Sequence, residues 1–516
     1  MDAALTSRGT DLATLSLVEA AAAVADGSVT SLALTEACLD RIARHDLGLN
    51  TVIWTEAETA LEAARKADRA RAAGEALGPL HGVPMAHKDM YYQAGRLSTC
   101  GSAIRADFRP DYTATVIERL EAAGAITFAG LNMAEFAQNP TGHNRHFGDC
   151  LNPWNGDFIT GGSSSGSGAA VAARFTFMAL GSDTGGSIRL PASCCGVTGL
   201  KPTQGRVSRY GAMPLSFSCD NVGPLTRSAR DCARVMRVMA GPDPRDRTAA
   251  QVPVPDYEAK LDGDLRGTRI GIPDTWFMED VDEPIMAATE AALAVLQARG
   301  ATLVRLTLPM IEDVAAYSAI LGRCEAAAIH AQWMREQPHD YAIHLSARLF
   351  PPLCIPARYY IEAHSRRGPI LRAFAKEVFG AVDLLATPTI PMRIPTRLET
   401  DIDAGTPGAV ERFMGVSRNT RLLNYLGLPA ISVPCGFDDR GLPVGLQLIG
   451  RPFGEGRVLH AADALQCDTD WHERMPDLAL AGQAAAYALA PKVQPQLVRS
   501  ASAARPGHQG IRASGP

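Results

Sequence analysis

A strong charge of either sign is missing from this 516-residue chain: 50 Lys and Arg against 55 Asp and Glu leave a net charge of −5. That balance removes a general electrostatic pull toward nucleic acid or an anionic membrane. No apolar run approaches the roughly 18–20 residues needed to span a bilayer. The start, MDAALTSRGTDLATLSLVEA, lacks the basic segment and apolar core of a secretory signal. The 11 cysteines are odd in number and form no CxxC pair, and Cys194 and Cys195 are adjacent, a poor arrangement for a mutual bridge. They read as reduced thiols, and the expected location is the cytoplasm.

With 46% hydrophobic residues, the chain can bury a large core without disulfide or metal staples. A helical layer is expected over about 10–76. In SLALTEACLDRIARH, Ser31 is placed as N-cap, with Leu34, Cys38 and Ile42 at four-residue spacing. In EAETALEAARKADRARAAGEALG, Gly78 is the expected stop. TATVIERLEAAGAITFAGLN and ATEAALAVLQARGATLVRLTLP each read as helix, glycine cap (Gly124, Gly300), then strand. That alternation predicts an α/β sheet covered by helices. A catalytic core is assigned to about 77–235. The Pro-rich stretch at about 241–257 reads as a long surface connection, and about 490–516 as a disordered tail.

The stretch GGSSSGSGAAVAARF, Gly161–Phe175, is too short and too quickly followed by apolar residues for a linker. It lacks GxxxxGK[ST] and GxGxxG, so a phosphate cradle is not indicated. Gly162 to Gly166 does match GxSxG around Ser164, which keeps an α/β-hydrolase-like esterase open, although no later His is singled out. Downstream, LGSDTGGSIRLPASCCGVTGLKPT sets Ser187 directly after Gly185-Gly186, glycines that let successive N–H groups aim at one point. Upstream, GVPMAHKDM holds Lys88 in an apolar setting where a lysine can lose its charge and act as a base. Beside Asp89, Lys88 alone also reads as a surface lysine. His143 and His146 in TGHNRH form an HxxH, which without a third ligand is a weak metal signal.

Taken in order, GVPMAHKDM, GGSSSGSGAAVAA and ALGSDTGGSIRLPASCCGVTGLKPT resemble the amidase signature family of serine hydrolases. So do LNMAEFAQNPTGHN, DNVGPLTRSARDCA, DLLATPTIP and LGLPAISVPCGFDDRGLPVGLQLIG, and the likeness runs over nearly the whole chain. It implies one large α/β/α domain over about 10–475, with a mixed central sheet, no cofactor and no metal. It implies Ser187 as the acylated nucleophile, Ser163 as the bridging serine behind a cis peptide with Gly162, and Lys88 as base. Thr184, Gly185, Gly186 and Ser187 would supply the oxyanion hole. Gly162, Ser164, Asp183 and Arg189 would support the loops, the last two as an ion pair.

The expected activity is cleavage of a small-molecule amide to carboxylate and ammonia or amine, with no nucleic-acid or membrane partner and with a homodimer as one assembly. The main rival within the family is the glutaminase component, the A subunit, of a tRNA-dependent amidotransferase. Such glutaminases carry an aspartate in a YLxD context and an MGSSTEN loop. Here the corresponding segments are AVERFMGVSRNTRLLNYLGLPAISVP and QNPTGHN, which favours a free-standing amidase. From other classes, a non-catalytic assembly protein is disfavoured by the intact Lys88, Ser163 and Ser187. A nitrilase-like cysteine hydrolase would use Cys195. Specificity is assigned to about 310–375, where Trp333, Tyr341, Phe350, Tyr359 and Tyr360 are candidates for lining a pocket or for packing a core.

Overall fold

The computed structural model describes residues 11–481; the stretch 490–516, expected to be disordered, lies outside them. Eleven strands form one sheet. In chain order they are β1 (Val52–Thr55), β2 (Pro84–Lys88), β3 (Ile126–Leu131), β4 (Met178–Asp183), β5 (Thr198–Lys201) and β6 (Asn221–Thr226). There follow β7 (Arg269–Pro273), β8 (Thr302–Leu306), β9 (Leu384–Pro388), β10 (Ala430–Phe437) and β11 (Pro443–Gly450). The spatial order is β1-β3-β2-β4-β6-β5-β10-β11-β9-β7-β8. β2 runs parallel to both β3 and β4, and β7 parallel to β8 and β9, while the other pairs are antiparallel. The sheet is therefore mixed.

Burial follows position in that order. Residues of β2, β3, β4, β5 and β6 are buried throughout, because helices cover both faces. The edge strands β1 and β8 are only partly covered. Both helix-glycine-strand units form as expected: Thr115–Ala122 leads through Gly124 to β3, and Glu283–Ala298 through Gly300 to β8.

Three local expectations change. The helical N-terminal stretch also contains β1, whose residues pair with β3. The cap of helix Ser31–His45 is Thr30, which accepts from the Ala33 N–H at 3.1 Å. Ser31 instead donates its hydroxyl to the Gly82 carbonyl, a tertiary contact that local pattern does not reveal. The helix Ala57–Ala72 stops at Gly74 rather than Gly78, since the earlier glycine already takes positive φ (+74°). Between Met239 and Arg269 no helix or strand occurs. That segment is fastened by Arg206, which donates to the Val252 and Pro253 carbonyls and to the Tyr257 hydroxyl.

The architecture places chemistry at one end of the sheet. β2 and β4 are parallel neighbours, with Ala86 opposite Ala179 and His87 opposite Leu180. Their C-terminal ends, Lys88 and Asp183, therefore emerge side by side. Helix Ser165–Ala172, almost wholly of small residues and entirely buried, packs close to β4 and brings Ser163 and Ser164 to the same end.

Candidate active site

Lys88 is fully buried. Its Nζ lies 2.7 Å from Ser163 Oγ and 2.9 Å from Ser182 Oγ. Its neighbour Asp89 turns elsewhere, accepting from the Trp54 indole at 3.1 Å and the Thr99 N–H at 2.8 Å. Burial lowers the Lys88 pKa to about 7, against the opposing pull of Asp183. A surface lysine beside Asp89 is thus ruled out by its burial. Local pattern does not single out Ser182. Its one signal is its place next to Asp183 at the end of β4.

The Gly162–Ser163 peptide is cis. Ser164 has no hydrogen bond to Lys88: its hydroxyl donates to the Ser182 carbonyl and accepts the Ser182 N–H, both at 3.3 Å. No histidine contacts Ser164 among the described residues, and a charge-relay partner for a GxSxG serine is lacking. Cys195 is equally unsuited to nucleophilic work. It is fully buried, its thiol donates to the Thr160 carbonyl, and burial drives its pKa well above the usual value.

Ser187 follows β4 after a tight turn and lines a cavity of about 130 Å³. The turn needs glycine at 186: φ is +130°, and a Cβ there would collide with Thr420 Oγ1. Asp183 anchors the turn from below. It accepts the Gly186 N–H at 2.8 Å and the Ile188 N–H at 3.2 Å. One of the four N–H groups assigned to the oxyanion hole is therefore occupied, because the Asp183 carboxylate sits inside the turn. No acceptor among the described residues takes the N–H of Thr184, Gly185 or Ser187. The Thr184 hydroxyl donates to Asp220 at 2.6 Å.

Asp183 and Arg189 form the anticipated ion pair, with Nε to Oδ2 at 3.0 Å and Nη2 to Oδ1 at 2.9 Å. Both are fully buried. Two further guanidinium hydrogens go to Gln447 at 2.7 Å and Asn424 at 2.8 Å. Burial alone would raise the Asp183 pKa, but Arg189 holds it down at about 2. Asn424 and Gln447 arrive from more than 200 residues away and carry no local sequence signal. Asp183→Ala leaves a buried guanidinium without its counter-ion, which costs about 3–5 kcal/mol. A matching fall in the denaturation midpoint is expected. An unchanged midpoint would show that the pair does not hold the loop.

His143 bonds Asp149 at 2.9 Å and Thr400 at 3.0 Å, while His146 bonds Glu135 at 2.9 Å. The two histidines thus have separate carboxylate partners. Among the described residues, no three His, Cys, Asp or Glu side chains form a group that could hold a metal ion. The aromatic candidates do not line the Ser187 cavity. Trp333 and Tyr341 pack on Phe136, at centroid distances of 5.3 and 6.1 Å. Phe350 and Tyr359 are exposed, and Tyr360 donates to Glu325. The segment 310–375 instead contributes Ser318, Gly322, Arg323 and Arg348 to the cavity wall.

A buried lysine lies against a serine over a mixed sheet, with a second serine after a glycine turn at the end of the neighbouring strand, and the protein is a hydrolase acting on carbon–nitrogen bonds. The chain belongs to the amidase signature family: the family model described as Amidase matches residues 33–459. A Chloroflexus aggregans protein, named as the A subunit of glutamyl-tRNA(Gln) amidotransferase, is 43% identical over 495 residues, covering 92% of this chain and 100% of that protein. Among solved structures, one describes a vestigial protein complex that reveals the evolutionary origins of an s-triazine catabolic enzyme. It aligns at 33% identity with a TM-score of 0.82, covering 88% of this chain and 98% of that one. The peptide amidase of Stenotrophomonas maltophilia aligns at 31% identity and a TM-score of 0.77, covering 88% and 96%. No helix among the described residues is long and apolar enough to cross a membrane.

Proposed function

We propose that the protein hydrolyses the amide bond of a small molecule through an acyl-enzyme on Ser187. The observation that carries this reading is the 2.7 Å contact between a buried Lys88 and Ser163. Neutral Lys88 takes the proton of Ser163, which takes that of Ser187 as the Ser187 oxygen bonds to the amide carbonyl carbon. The N–H groups of Thr184, Gly185 and Ser187 stabilise the oxyanion. Ser163 then gives its proton to the leaving nitrogen as the carbon–nitrogen bond breaks and regains one from Lys88, which becomes neutral again. Water attacks the Ser187 ester, releasing carboxylate and restoring the serine. Ser182 is the second hydrogen-bond partner of Lys88 and keeps its amine aimed along this path.

Within the family the reading is a free-standing amidase, because no Asp or Glu side chain among the described residues lines the cavity beside Ser187. A glutamine substrate brings an ammonium group that calls for such a partner. A second reading is supported by the relatives at 39–43% identity that are named as the A subunit of glutamyl-tRNA(Gln) amidotransferase. On that reading the chain is a glutaminase that works with partner proteins and tRNA. The test is ammonia or amine release by the purified chain alone from aliphatic, aromatic and amino-acid amides, glutamine included. Turnover of simple amides without partners is expected. Glutamine hydrolysis that appears only when the other amidotransferase components are added would establish the second reading.

A further inference from the structure

The cavity over Ser187 is walled by three arginines from three separate helices. Arg323 comes from Ile311–Glu336, Arg348 from Ile343–Leu349 and Arg421 from Arg421–Leu426. No Asp, Glu, Lys or His side chain among the described residues lines the same space. Elsewhere several buried or half-buried arginines have carboxylate partners: Arg145 on Asp401 and Asp403, Arg189 on Asp183, Arg440 on Asp438. The cavity arginines have none among the described residues.

Nε of Arg348 and Nε of Arg421 are buried and without a hydrogen-bond partner. The Arg348 guanidinium reaches only the Met414 sulfur, at 4.0 Å, and lies 5.4 Å from the centre of the Phe413 ring. Burial and then the neighbouring arginines lower the pKa of both residues, that of Arg348 to about 10. The half-buried Arg348 and Arg421, without a counter-ion, cost free energy in the empty enzyme, and the exposed Arg323 adds its charge at the cavity rim. A fork of guanidinium N–H groups matches a carboxylate in shape as well as charge.

We propose that this cavity selects anionic amides: short monoamides of dicarboxylic acids, whose free carboxylate is held by Arg323, Arg348 and Arg421 while the amide end meets Ser187. The cavity volume of about 130 Å³ suits an acyl chain of a few carbons. The absence of a lining carboxylate disfavours an ammonium group on that chain. The substrate class rests on the amidase reading above. The carboxylate site itself does not, so binding and turnover are measured separately.

For turnover, wild-type enzyme is offered succinamate, glutaramate, adipamate, glutamine and pentanamide at low ionic strength. Glutaramate differs from glutamine only by the missing ammonium, and pentanamide lacks the carboxylate. The best of the three monoamides should exceed pentanamide in kcat/KM by about 100-fold and glutamine by about 10-fold. For binding, glutarate is titrated calorimetrically into the full chain. Arg348→Gln and Arg421→Gln should each weaken glutarate by about 10–100-fold, the range of a charged hydrogen bond. Each should also collapse the preference for monoamide over pentanamide, and Arg→Lys should restore part of it.

Equal turnover of the monoamides and pentanamide, or a preference for glutamine over glutaramate, would overturn the proposal. So would absence of glutarate binding to wild-type protein, a result that needs no variant to fold. Glutarate binding without hydrolysis of any amide would refute the amidase reading and leave the carboxylate site standing.

Discussion

Ser187→Ala is expected to abolish amide turnover, with a loss on the order of 10⁶-fold, the scale seen when a serine hydrolase loses its nucleophile. Ser187 lines the cavity and follows the glycine turn in which the N–H groups of Thr184, Gly185 and Ser187 have no acceptor among the described residues. Covalent modification by a fluorophosphonate should map to Ser187 by peptide mass spectrometry and vanish in Ser187→Ala. Ser163→Ala should slow labelling strongly, since it removes the contact at 2.7 Å from Lys88. Ser164→Ala should stay within about tenfold of wild type, because its hydroxyl makes only the two 3.3 Å contacts with the Ser182 backbone. Label on Ser164, with Ser187→Ala still active, would restore the GxSxG reading.

Lys88→Ala is expected to cost about 10²–10⁴-fold in kcat, the usual contribution of a positioned base. The pH dependence gives an independent check. Burial lowers the Lys88 pKa from 10.5 to about 7. The neutral amine, the form able to accept a proton, thus predominates above about pH 7 and is lost as pH falls below it. The rate should rise through pH 7 and level off on the alkaline side, well before the ordinary lysine range. Retained activity in Lys88→Ala, or a rate climbing only near pH 10, would remove Lys88 from the base role. Circular dichroism on the variant separates lost chemistry from lost fold.

Much of the architecture is legible because its determinants are local. Helix Thr115–Ala122, Gly124 and β3 follow one another in the order that amphipathic spacing and a glycine stop dictate. The same holds for Glu283–Ala298, Gly300 and β8. Where local pattern misleads, a tertiary contact competes with a local one. Ser31 has the right side chain for a cap but is drawn to the Gly82 carbonyl, and Thr30 caps instead. β1 is four residues long and is held as a strand by pairing with β3, a partner more than 70 residues later.

The site divides along the same line. Glycine pairs, serines and a lysine in an apolar setting are chemical facts about short segments, so Lys88 and Ser187 could be nominated from the chain alone, as could the Asp183–Arg189 pair six residues apart. Local pattern points to Ser164, and Ser163 comes only with the resemblance to the amidase signature family. Charge environment is different in kind. It sums over neighbours brought in by the fold, and no short window contains them. Gln447 and Asn424 complete the shell around Arg189 from far along the chain. Of the aromatics nominated in 310–375 for a pocket or a core, Trp333 and Tyr341 pack on Phe136 while Phe350 and Tyr359 are exposed, because which of these outcomes an aromatic meets depends on neighbours from distant segments. By itself the sequence determined the order of the motifs, the α/β alternation and the residue types able to do acyl transfer, since each depends on local stereochemistry. Only the tertiary structure decided that Lys88 is buried deeply enough to bring its pKa down to about 7, that the Gly186 N–H belongs to Asp183, and that three arginines without a carboxylate partner among the described residues line the cavity with Ser187. Desolvation and Coulomb interaction depend on distance through space, and folding alone sets that distance.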